Sequence, residues 1–252
     1  MKQVRIFLTA VMFYTRIPVP KSVGYTPENM NRSTGYLPLI GILVGAIGGA
    51  VYLGAQLVVP VSVAVLLCMV ATILVTGAFH EDSISDFCDG FGGGHDQESI
   101  LRIMKDSCIG TFGATGLIMT LLARYVFLTN IQPTIFLAVF IAGNAYSRFQ
   151  PILMIHFSEY MRKDSANKSG DVAENRNPWM LLQGFFLALI PMYFLPLWIS
   201  GILIVVECLT FWLFRMYSHK KLGGYTGDVL GALQQISELV FYLVFLILFH
   251  LK

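Results

Sequence analysis

Residues 36–79 contain no Asp, Glu, Lys, Arg or His, a run of 44 positions. Two crossings of about 20 residues each account for it, because that length spans ~30 Å of hydrocarbon. Pro60 divides the run into 36–59 and 61–79. Composition agrees: 56% of the chain is hydrophobic and 13% charged, against about 25% charged in soluble domains. Further apolar stretches cover 110–128 and 133–149, 179–195 and 197–214, and 228–250. The spacing predicts an all-α polytopic bundle, one integral membrane domain over 1–252 with about seven spans. Residues 1–20 are interrupted by Arg5, Thr9 and Arg16, so an interfacial helix ended by Pro18 and Pro20 is expected there. Gly41, Gly45, Gly48 and Gly49 would let a neighbouring helix approach closely. Four cysteines without C-x-x-C spacing read as small apolar residues.

The first run ends abruptly on H-E-D-S-I-S-D-F-C-D-G-F-G-G-G, residues 80–94. Glu81, Asp82, Asp86 and Asp89 put four carboxylates in nine residues. In a helix Asp82, Asp86 and Asp89 fall at i, i+4 and i+7, on one face. Like charges so placed want a cation. Oxygen ligands suit Mg²⁺, or Mn²⁺, and Mg²⁺ is commonly completed by substrate phosphates. A divalent-metal site for a phosphate-bearing substrate at a membrane edge follows. His80, with an ordinary pKa of ~6.5, is a candidate general base, or else an interfacial hydrogen-bonding residue. Gly92 and Gly93, with Gly90 and Gly94, either bring backbone N–H groups to a phosphate or form a plain turn. Lys105, Arg148, Lys220 and Lys221 are candidates for a diphosphate, or flanking charges. Arg124 and Glu207 fall inside predicted spans, where ionisable groups are functional suspects; their depths differ and they are not paired.

A second block, Gly223-Gly224-Tyr225-Thr226-Gly227-Asp228, opens the last helix. Free N–H groups and a positive helix end are expected there. Asp228, Gly231, Gln235 and Glu238 then recur as a polar stripe, which must face protein or a wet cavity. Asp228 is either a second wall of the acidic site or only an N-cap. The basic residues fix the orientation: fifteen of seventeen fall in the N-terminal segment, 80–109, 148–180 and 215–221, and none in the hairpins at Pro60, 130–133 and Pro196. That side should be cytoplasmic, with the acidic block on it. No basic run suggests nucleic acid.

The F-H-E-D-x-x-x-D-x-x-D-G-F-G-G-G pattern resembles the cobalamin synthase family, the adenosylcobinamide-GDP ribazoletransferases. F-Y-T-R-I-P-V-P (13–20), N-R-S-T-G-Y-L-P-L-I-G (31–41), K-D-S-C-I-G-T-F-G (105–113) and K-L-G-G-Y-T-G-D-V-L-G-A (221–232) resemble its other blocks, in order. Ser83-Ile84 stands where that family usually has Gly-Leu. The resemblance implies that α-ribazole, or its 5′-phosphate, attacks the cobinamide-linked phosphorus of adenosylcobinamide-GDP and releases GMP. Asp82, Asp86 and Asp89 match the acidic motif; Glu81 is adjacent, and Asp106 and Asp228 lie in matching blocks and are expected to complete the metal shell or orient the hydroxyl. It implies an inner-membrane enzyme with corrinoid and nucleoside substrates, in contact with lipid; other corrinoid-assembly enzymes or a second copy of the chain are the partners it leaves open. Two other classes share parts of the pattern. CDP-alcohol phosphotransferases carry D-x-x-D-G-x-x-A-R, but Gly93-Gly94 replaces Ala-Arg here. Transporters place acids near the bilayer midplane, whereas these cluster at one end.

Overall fold

A computed structural model describes residues 2–162 and 177–251. Lys163, Lys168, Arg176 and Lys252, counted above among the basic residues, lie outside the described residues. Those described form twelve α-helices and two short 3-10 turns; among them the only β pairing is a single bridge, Tyr160 to Tyr225. The chain is thus an all-α membrane protein. A helix expected near the N-terminus is present as α1 (Lys2–Tyr14), ending before Pro18 and Pro20. After α2 (Pro27–Ser33) come α3 (Leu37–Ala55) and α4 (Val61–Thr76). The acidic block is α5 (Phe79–Gly93), followed by α6 (Gln97–Ile103) and α7 (Thr111–Thr129). The remainder are α8 (Phe136–Ser147), α9 (Gln150–Phe157), α10 (Pro178–Met192), α11 (Leu197–Leu222) and α12 (Gly227–His250).

The count of seven spans is not confirmed. Among the described residues four helical stretches are long and apolar enough to cross: 27–55, 111–129, 197–222 and 227–250. A fifth exists if the bent pair α4 and α5 is taken together. The expected spans 133–149 and 179–195 shrink to helices of 12 and 15 residues. At 1.5 Å per residue these reach about 18 and 22 Å, short of ~30 Å. The span 61–79 stops at Thr76 because Gly77 and Ala78 both turn left-handed, at φ 67° and 59°. Gly77 N donates to Leu74 O and Ala78 N to Ile73 O, a Schellman closure. Beyond it α5 departs at 87° to α4. The acidic residues are thereby carried across one end of the bundle instead of along α4.

Close backbone approach holds the frame. At Gly41 a Cβ would overlap the Asn144 carbonyl, so α3 lies directly on α8. At Gly231 a Cβ would overlap Ser83, which sets α12 against α5. Tyr52 stacks on Phe136 with centroids 3.8 Å apart. Large apolar side chains on the outer faces of α7 and α11, among them Ile118, Leu122, Val205 and Leu209, are exposed, as lipid-facing positions are.

Candidate active site

The turn at Gly77-Ala78 starts a helix whose first turn carries Glu81 and Asp82, where the positive helix end favours them. Helical periodicity then places Asp86 one turn after Asp82. The head of α12 meets this face. Its N-cap is Thr226, whose hydroxyl accepts from Val229 N; Asp228 is therefore not the cap, and its carboxylate is available elsewhere. Arg162 Nη2 donates to Asp228 Oδ2 at 2.8 Å and to the Met104 carbonyl at 3.1 Å. Arg162 reaches this point because residues 159–161 pair with Tyr225: Met161 N donates to Tyr225 O and Tyr225 N to Glu159 O. Gly224 permits that pairing, since a Cβ there would overlap the Glu159 carbonyl.

Asp82, Asp86 and Asp228 thus share one patch of charge. Burial pushes the Asp86 carboxyl up to about 7, and the negative charges of Asp228 and Asp82 push the same way, while Arg162 opposes them. A carboxylate in that position takes either a proton or a cation. Among the described residues no three His, Cys, Asp or Glu side chains stand close enough together to ligate one ion. The donor chemistry nevertheless fits Mg²⁺. The oxygens are hard, they repel one another, and one or two carboxylates suffice when waters and phosphates complete the shell.

The other expected ligands have different partners. Asp89 is buried, and its two oxygens accept from Gly110 N and Gly113 N, each at 2.7 Å. It anchors the N-terminus of α7, and Gly110 and Gly113 leave the room it occupies. Glu81 is buried and faces Arg124 at 3.6 Å. Arg124 also pairs with Glu238 at 2.9 Å, and Glu238 accepts from Gln234 and Tyr242. The polar stripe of α12 therefore faces protein, with Gln235 and Glu238 almost fully buried. Glu207 is bound separately, by Gln150 and Ser237. Asp106 is exposed and accepts from Cys108 N.

The glycine-rich segment is helical, not an open loop. Gly90, Gly92 and Gly93 belong to α5, and none has a positive φ. Their N–H groups lie at the C-terminal end of the helix, where the ladder uses them. Gly90 and Gly94 instead admit Met104 and Ile100. Lys105 is exposed just beyond α6, and Lys221 is half-buried in the last turn of α11. Arg148 is buried and donates to the Asn144 carbonyl and side-chain oxygen, at 2.8 and 3.0 Å. It and His80 line a pocket beside the acidic patch.

Arg162 is the residue that sequence reasoning did not select. It looks like one more charge in a polar segment, and no helical spacing ties position 162 to 228. The partners of Arg124 were equally hidden, although its place inside an apolar run marked it.

The model of the family described as cobalamin-5-phosphate synthase matches residues 6–246. The adenosylcobinamide-GDP ribazoletransferase of Shewanella frigidimarina is 41% identical, over 98% of this chain and 95% of its own. Those of Ralstonia pickettii and Vibrio cholerae are 42% and 38% identical, over 92% and 97% of this chain and 91% and 94% of theirs. No solved structure matches the chain significantly. By the extent of the match and by these identities, the chain belongs to the cobalamin-5-phosphate synthase family.

Proposed function

We propose that the chain is an adenosylcobinamide-GDP ribazoletransferase. It joins adenosylcobinamide-GDP to α-ribazole or α-ribazole 5′-phosphate, releases GMP, and so assembles the nucleotide loop of cobalamin. Membership of the family and the names of the relatives support the step itself. The observation that carries the site is the meeting of α5 with the head of α12, which sets Asp82, Asp86 and Asp228 beside Arg162.

In this reading a ribose hydroxyl attacks the phosphorus that carries cobinamide. A new P–O bond forms as the bond to GMP breaks. Asp82 and Asp86 would hold Mg²⁺; when bound, the ion supplies charge stabilisation to the phosphate oxygens. Asp228, in the first turn of α12, orients the attacking hydroxyl and takes its proton. The free N–H groups and positive end of α12 favour an anion beside it. Arg162 neutralises Asp228 in the resting site and is placed to turn to the diphosphate as substrate arrives. Lys105 and Lys221 add positive charge near the entrance. Their companions on the same side, under the positive-inside rule, favour a site facing the cytoplasm of the inner membrane.

The purified protein, given Mg²⁺, adenosylcobinamide-GDP and α-ribazole 5′-phosphate, should release GMP and stop on addition of EDTA. Release of CMP from a CDP-alcohol, with none of GMP, would point to the phosphotransferase class instead. Activity undiminished by EDTA would remove the metal from the scheme.

A further inference from the structure

Between α1, α5, α9 and the head of α12 lies a partly open pocket that the acidic patch does not use. One wall is aromatic. Phe13 and Tyr14 of α1 meet Phe79 of α5 edge to face, with centroids 5.8 and 5.9 Å apart, and each other at 4.9 Å. His80 continues the wall at 5.3 Å from Phe79. Ile155 and Leu230 line it too.

Two polar side chains reach this apolar space. His80 is 5% exposed; Arg148 is 3% exposed, and its Nε has no hydrogen-bond partner among the described residues. A buried donor without a partner is costly unless a ligand answers it. Among the described lining residues none bears a carboxylate or a side-chain amide.

We propose that this pocket binds the base of the nucleoside acceptor, a flat and mostly apolar heteroaromatic ring with one acceptor nitrogen. The assignment rests on the transferase reading above. The chemistry separates the two bases of the reaction. Guanine presents several N–H donors beside its carbonyl and is matched best by a carboxylate or a side-chain amide, neither of which lines the pocket. A methylated benzimidazole offers apolar faces and one ring nitrogen, which His80 or the Arg148 Nε can meet. Aromatic edges packed around such a ring give the usual offset or T-shaped contacts. Position agrees. Gly227 and Gly231 flank Asp228 on α12 and His80 precedes Asp82 by two residues, so a seated base directs its sugar toward the carboxylates. The pocket also gives the N-terminal Phe13-Tyr14 block a role that the phosphate chemistry leaves unexplained.

The test is a filling variant, Ile155→Trp, and a wall variant, Phe13→Ala, in reconstituted enzyme. KM is measured for α-ribazole 5′-phosphate and for adenosylcobinamide-GDP, and calorimetry follows α-ribazole alone. Each variant should raise the nucleoside KM at least tenfold and weaken its binding equally, with the KM for adenosylcobinamide-GDP unchanged. Wild-type affinity should also fall about fourfold for each ring methyl removed from the nucleoside. An unchanged nucleoside KM in either folded variant, or a rise confined to adenosylcobinamide-GDP, overturns the pocket while the transferase reading stands. A wild type that forms no GMP overturns both.

Discussion

Glu81 and Asp82 are neighbours in sequence and belong to different structures. Glu81 is buried and meets Arg124 and, through it, Glu238. Asp82 is exposed and shares a patch with Asp86 and Asp228. One side of α5 closes a charge-balanced cluster inside the bundle. The other collects negative charge that the protein leaves only partly neutralised, by Arg162. The first arrangement satisfies charge and holds helices together. The second preserves electrostatic tension, which is worth keeping only where a cation or an anionic substrate relieves it. Composition alone cannot separate the two, since both are made of acids in one short block.

The largest effect on stability should come from the buried side. Arg124→Ala leaves Glu81 and Glu238 without their cation, and losing one partner of a buried ion pair costs about 3–5 kcal/mol. Thermal unfolding in detergent should show it, and a variant as stable as the wild type would reduce the cluster to incidental contact. Asp89→Ala comes next. It removes the acceptor for two backbone N–H groups at the start of α7, and hydrogen bonds to a charged group contribute about 1.5–3 kcal/mol each. Its Tm should fall clearly. If Asp89 served chiefly as a metal ligand, Tm would hold and Mg²⁺ affinity would fall instead.

The open side should respond in the opposite sense. The Asp86 carboxyl is raised from its ordinary 3.8 to about 7 in the folded chain, so the folded state holds the proton more tightly than the unfolded one. Stability of the metal-free protein should therefore fall as pH rises from about 4 to about 7, and level off above. Mg²⁺ should restore it. Asp86→Asn should remove this pH slope and leave the metal-free variant with a higher Tm than wild type at pH 8. Parallel slopes in the two proteins would show that Asp86 is not under the strain described.

The membrane class and the helical acidic block were legible because each rests on composition or short-range spacing. The N-terminal helix was legible for the same reason. Span number is not confirmed. Helices α8 and α10 are apolar along the expected stretches but too short, and α4 is cut by a left-handed Gly77-Ala78 turn. Hydropathy does not register either kind of ending. Among site residues, the i, i+4 relation of Asp82 and Asp86 could be read directly. The fates of Glu81 and Asp89 could not, because their partners, Arg124 and the N–H groups of Gly110 and Gly113, come from α7 and its preceding turn. Arg162 escaped for a similar reason: a bridge between 160 and 225 brings it to Asp228.

The most direct measurement takes the two neighbours together. Glu81→Gln and Asp82→Asn are each a single-atom change of charge, one position apart. Turnover and Tm should be read on the same preparations, with saturating Mg²⁺ and both substrates. Asp82→Asn is expected to lose about a hundredfold or more in kcat, the loss of one contribution to transition-state charge stabilisation, with Tm unchanged. Glu81→Gln is expected to lower Tm and keep kcat within about tenfold of wild type. The reverse pattern, with Glu81→Gln inactive at full stability and Asp82→Asn active, would contradict the division of α5 into a structural and a chemical face.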